Sequence, residues 1–178
     1  MEETFIQSIR NHKVEAEDYI GIVNQLTKEQ TENLDNLIQE ITSLTRKKDY
    51  EIEIGVLQEY YLKLSSELYI MVDKLKQFEI YSSLAKANES EEYNNAYLKE
   101  STVDTGNKKP AVAELQIRAS NSSKKASLVN TVYASAFKTV KSKVEAGNMV
   151  ADTLKNIIKA RTSLEFTTNQ SNNNRSSF

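Results

Sequence analysis

The chain has no cysteine, no tryptophan, one histidine, one proline and four glycines in 178 residues. Glycine and proline together make up about 3% of it, against about 12% in ordinary proteins. That is too few for the turns of a β-sandwich, a β-barrel or a glycine-rich nucleotide fold. Without cysteine there are no disulfides, no thiol chemistry and no thiolate metal sites, and a single histidine leaves only carboxylates as metal ligands. No GxSxG, Walker loop, HExxH or dinucleotide fingerprint occurs, so neither an enzyme nor a cofactor is expected. His12, between Asn11 and Lys13, reads as a solvated surface residue. No window approaches the ~18 apolar residues of a membrane span, and Met1–Phe5 lacks the basic and apolar regions of a signal peptide. A soluble, cytoplasmic protein is expected.

Apolar residues are also scarce, at roughly 36% on the usual counting against 45–50% in globular domains. What is present is helical patterning. The expected fold is all-α: an elongated helical bundle with long, amphipathic, coiled-coil-like helices. The net charge of −2 conceals a division. Residues 1–100 hold 11 Lys/Arg and 20 Asp/Glu, a net of −9, while residues 101–178 hold 12 and 5, a net of +7. Such asymmetry arises either from a nucleic-acid-binding half or from halves that attract each other.

Three regions follow: N-terminal amphipathic helices in 1–50, a helical core in 51–166, and a polar tail in 167–178. In the first, Ile20, Val23 and Leu26, then Leu34, Leu37, Ile38, Ile41 and Leu44, recur at helical spacing. Thr27 and Thr31 read as caps for the second stretch, and Arg46-Lys47-Lys48 suit its last turn.

The strongest periodicity comes next. Ile54, Leu57, Tyr61, Leu64, Leu68, Met71, Leu75, Phe78, Ser82 and Ala85 alternate spacings of three and four, the a and d positions of a coiled-coil seam. A helix over about 54–86 is predicted, roughly 50 Å long at 1.5 Å per residue. Ile54 to Phe78 of this seam are the candidate contacts of a homo-oligomer. An amphipathic helix packed inside one chain gives the same pattern.

Asn88–Glu92 reads as a polar, acidic break and Ser101–Lys109 as a loop, with Pro110 opening a short helix over Ala111–Ala119. Ser120-Asn121-Ser122-Ser123 either breaks the chain again or caps the next element. From about 124 to 165 a last helix carries Val129, Tyr133, Ala136, Val140, Val144, Gly147, Ala151, Leu154, Ile158 and Arg161 on one stripe. Gly147 on that stripe marks a close helix approach or a kink. Thr167–Phe178 is almost all Thr, Asn, Gln and Ser, a composition that predicts disorder.

Two groups of side chains carry candidate binding chemistry. Six of nine tyrosines, Tyr60, Tyr61, Tyr69, Tyr81, Tyr93 and Tyr97, fall between residues 60 and 97. Aromatics beside cations stack unpaired bases, but their scatter around the helix suits Tyr at helix interfaces better. Lys124, Lys138, Lys141, Lys155 and Lys159 lie off the apolar stripe of the last helix, with Lys108, Lys109 and Arg118 before it. Phosphate binding needs several such charges at backbone spacing; a merely solvated lysine face looks the same. The Glu89, Glu91, Glu92 cluster lacks the alternation and glycine of a calcium loop, so no metal site is expected.

The segments Tyr60-Tyr61-Leu62-Lys63-Leu64, Glu67-Leu68-Tyr69, Tyr93 with Tyr97-Leu98-Lys99, Gly106-Asn107-Lys108-Lys109-Pro110 and Leu154-Lys155-Asn156-Ile157-Ile158-Lys159-Ala160-Arg161 together resemble the UvsY-type phage recombination mediators, over about residues 55–165. The resemblance implies a non-enzymatic helical oligomer that binds single-stranded DNA and helps a recombinase displace single-strand-binding protein, inside the host cell. By position, Lys155, Lys159 and Arg161 match that family's basic closing helix, and Lys108 and Lys109 its basic loop. The full candidate set for DNA is then Lys108, Lys109, Arg118, Lys138, Lys141, Lys155, Lys159 and Arg161. The first fifty residues are additional to the family pattern, and the acidic first half is a poor DNA surface. A helical assembly adaptor or phage inhibitor that binds a protein partner is the alternative.

Overall fold

The computed structural model describes residues 2–46, 52–102 and 111–175, and the side-chain surroundings of 17–46, 52–102 and 111–164. Among the described residues there are four helices and no strand: α1 (Glu2–Arg46), α2 (Ile54–Thr102), α3 (Val112–Ser122) and α4 (Lys124–Arg175). The fold is all-α. Two compact units are drawn from them, one of residues 1–29 and 75–140, the other of 30–74 and 141–178.

In the second unit the seam residues of α2 are the core. Leu57, Leu64 and Met71 are fully buried and Leu68 nearly so, together with Leu34 and Ile41 of α1 and Val144 and Leu154 of α4. Gly147 of α4 admits Leu68 and Leu34, whose methyl groups would lie 2.8 and 3.1 Å from a Cβ placed there. The glycine marks a close helix approach. Of the residues expected to form an oligomer seam, Leu57, Leu64, Leu68, Met71 and Phe78 are buried and Ile54, Tyr61 and Leu75 half-buried within their own chain.

The first unit has a core of smaller residues: Val23, Phe78, Ala85, Leu115, Ala119, Ala126, Ala136 and Val140. Tyr81 of α2 touches Tyr133 of α4, with ring centroids 5.7 Å apart, and meets Phe78 edge-on at 6.3 Å. Tyr81 thus packs between helices, as expected of it.

Element boundaries depart from the sequence expectations in one direction, toward longer helices. α1 is a single helix because Thr27 and Thr31 lie inside its buried stripe rather than at caps. Their hydroxyls are satisfied locally, Thr27 donating to the Val23 carbonyl (2.9 Å) and Thr31 to Asp35 (3.1 Å), a known way for threonine to sit within a helix. α2 passes through Asn88–Glu92 without a break, since Lys86 and Ala87 before it and Glu89, Glu91 and Glu92 within it are good helix formers and neither Gly nor Pro intervenes. α3 begins at Val112, after an extended Ala111. Gly106, Asn107 and Pro110, the expected loop and helix start, lie outside the described residues.

Of Ser120–Ser123, the first three belong to α3 and Ser123 caps it, directly before α4. Ser123 alone joins α3 to α4, and its N–H donates to Ala119 (3.0 Å) while its carbonyl accepts from Ser127 (3.0 Å), so the backbone ladder crosses the joint. Finally, α4 runs to Arg175, into the polar tail. Once a helix is nucleated, extending it costs little even through weak formers such as Asn and Ser.

Candidate nucleic-acid interface

Between Glu114 and Glu145 the chain carries Arg118, Lys124, Lys125, Lys138, Lys141 and Lys143 and no acidic residue. Within the first unit Lys124, Lys125 and Lys138 are exposed on α4. Lys124, Thr131 and Lys138 follow at intervals of seven, which keeps them on one helix face. In the second unit Lys141, Lys155 and Lys159 are likewise exposed, with Glu145 and Asp152 on the same side. These two carboxylates dilute the positive field there.

Lys143, two residues from Lys141, is spent differently. Its ammonium donates to Asp35 and to Thr31 Oγ1 (2.9 Å) of α1, closing a half-buried polar contact beside the second unit's core. The two candidate arginines also have partners within the fold. Arg118 pairs with Glu100 of α2 (3.2 Å) and Glu114 of α3 (2.6 Å), which raise its already high pKa. Arg161 donates to the Ile52 carbonyl at the entrance to α2. Both join helices, and Arg118's charge is already offset. Lys108 and Lys109 lie outside the described residues. Of the candidates, Lys138, Lys141, Lys155 and Lys159 are the ones that stand exposed with no ion pair among the described residues.

The first unit also holds a groove that the sequence did not single out. Glu89, Ser90, Tyr93 and Asn94 of α2 form one wall, and Ser120, Ser123 and Ser127 of the α3–α4 joint the other, around about 430 Å³. On each wall the spacing is three or four residues, the signature of one helix face. Part of each wall, Glu89 and Ser90 on one and Ser120 and Ser123 on the other, falls in segments whose sequence suggests a break or a cap, because serine, asparagine and glutamate carry no hydrophobic periodicity. Glu89 accepts hydrogen bonds from the Ser127 hydroxyl and the Asn130 amide, which hold its carboxyl below the usual glutamate value of 4.5. Beside it, the Tyr93 and Tyr97 rings lie nearly parallel, 24° apart with centroids at 6.4 Å.

Apolar side chains are exposed as well. On α2, Leu62 and Tyr69 of the second unit are 67% and 78% exposed, and Ile80, Leu84 and Leu98 of the first unit more than half. Among the described residues no group of three or more His, Cys, Asp or Glu side chains could hold a metal ion, and no helix is long and apolar enough to cross a membrane. Comparison with protein-family models, curated proteins and solved structures finds no match to this chain.

Proposed function

We propose that this protein is a non-enzymatic accessory factor that binds single-stranded DNA, as its resemblance to the UvsY-type recombination mediators implies. The observation that carries the reading is the exposed basic face of α4. Lys124, Lys125 and Lys138 stand on a stretch free of carboxylates, and Lys141, Lys155 and Lys159 continue the exposed lysines of the same helix. Such lysines suit phosphates, which are bound through charge with little demand on shape. A recombinase or single-strand-binding protein is then the natural protein partner.

The alternative, a helical adaptor for a protein partner, draws on the exposed Leu62, Tyr69, Leu84 and Leu98 of α2, since exposed apolar side chains favour protein contacts when they cluster. Fluorescence anisotropy with a labelled oligonucleotide separates the two. A DNA-binding protein binds at about 50 mM salt and loses affinity steeply by about 200 mM, and each lysine that neutralises a phosphate of a single strand contributes about 0.7 to the slope of log K against log salt. Replacing Lys138 by Ala then lowers that slope by about one such step. Absence of binding at low salt would overturn the DNA reading and leave the adaptor.

A further inference from the structure

We propose that the groove between α2 and the α3–α4 joint holds one unpaired nucleobase of the bound strand, with a preference for bases that carry an exocyclic amino group. The inference rests on the DNA reading above and adds to it a place for a base and a rule for choosing it.

The lining itself points away from phosphate. None of Glu89, Ser90, Tyr93, Asn94, Ser120, Ser123 and Ser127 is basic, and an ionised Glu89 repels an anion. What these residues offer is the edge chemistry of a base: hydroxyl and amide groups that both donate and accept, and a carboxylate that only accepts. Its size lies within the range of small-ligand sites. Tyr93 supplies a ring on the wall of the groove, and the nearly parallel Tyr97 ring extends the aromatic surface. Ring faces of this kind stack bases without regard to sequence.

Selection comes from Glu89. Two of its acceptor positions are taken by Ser127 and Asn130, and a carboxylate has about four. The remaining ones accept from an amino group such as cytosine N4, the pairing a carboxylate makes with base edges. Thymine shows no amino group and gains less. The phosphates are left outside, where the exposed Lys124 and Lys125 follow Ser123 directly in the chain. The base points inward and the backbone runs along lysines.

The test is anisotropy at low salt with three labelled strands of equal length and charge: oligo-cytosine, oligo-thymine and an abasic strand. The wild-type protein should bind the cytosine strand at least about fivefold more tightly than the abasic one, the low end for one stacked base, and more tightly than thymine. Glu89→Gln, whose amide both donates and accepts, should abolish the difference between cytosine and thymine, while binding of the abasic strand is strengthened by the loss of a carboxylate that repels phosphate. Asn94→Ala, on the exposed rim, should reduce base-dependent binding in the same way, and serves if Glu89→Gln fails to fold. Equal affinity for all three strands overturns the groove assignment and leaves strand binding standing. Binding of none overturns both, and undiminished discrimination in folded Glu89→Gln removes Glu89 from the role.

Discussion

Gly147 on α4 lies directly against Leu68 on α2: a β-carbon at position 147 would sit 2.8 Å from Leu68 Cδ2 and 3.1 Å from Leu34 Cδ1. Glycine inside a helix costs about 1 kcal/mol against alanine, so its presence calls for a packing reason, and these two leucines supply it. Leu34 is fully buried and Leu68 nearly so, so neither swings freely aside. Overpacking of this kind costs about 1–3 kcal/mol. Gly147→Ala is expected to lose roughly 1 kcal/mol after the helix gain is subtracted, and Gly147→Val more. Urea unfolding midpoints check this, and a stabilised alanine variant would show the contact to be soft.

Leu62 and Leu64 are two residues apart on α2 and face opposite environments, Leu62 being 67% exposed and Leu64 fully buried. Leu64→Ala leaves a cavity and should cost about 2–5 kcal/mol; Leu62→Ala should stay within about 0.5 kcal/mol. Thermal melts followed by circular dichroism measure both. Leu64 is fully buried by its own chain, so the Leu64→Ala loss is expected to be independent of protein concentration. A melting temperature that rises with concentration in the wild type and not in the Leu64→Ala variant would return the seam to an intermolecular role.

The Glu89 carboxyl is held low chiefly by the Ser127 hydroxyl and then by the Asn130 amide. A lowered folded-state value means that the fold favours the charged form. The resulting stability is fully present above the ordinary value of 4.5 and is lost as pH falls through the lower folded-state value. Glu89→Gln cannot titrate, so the gap in melting temperature between wild type and variant should hold at about pH 6 and narrow below about pH 4. Glu59, held low in the same direction by Lys63, titrates in both proteins and cancels. A gap that stays constant down to about pH 3 would show that the Ser127 and Asn130 contacts do not favour the ionised form.

Helix positions on the two strongest stripes were legible in the sequence. Leu57, Leu64 and Met71 on α2, and Val140, Val144, Gly147 and Leu154 on α4, are buried as their spacing of three and four requires. Polar residues inside the stripes were misread. Thr27 and Thr31 look like caps because threonine often serves as one, yet both are buried mid-helix. Asn88–Glu92 looks like an interruption for the same reason, yet α2 runs through it. Their role depends on which helix lies opposite.

Lys141 and Lys143 mark the division most clearly. Both are lysines on one helix, two positions apart, and the helical period says only that Lys143 lies nearer the apolar stripe; Lys141 is exposed and Lys143 is held by Asp35, more than a hundred positions away in the chain. The sequence by itself determined the all-helical class, because few glycines and prolines and a 3.6-residue apolar period are local properties that each segment carries alone. Tertiary structure decided that the coiled-coil seam is covered within the chain, that Arg118 and Arg161 join helices, and that seven polar residues share a groove. Those outcomes depend on contacts between residues distant in the chain, and a long-range contact leaves no period in a single sequence.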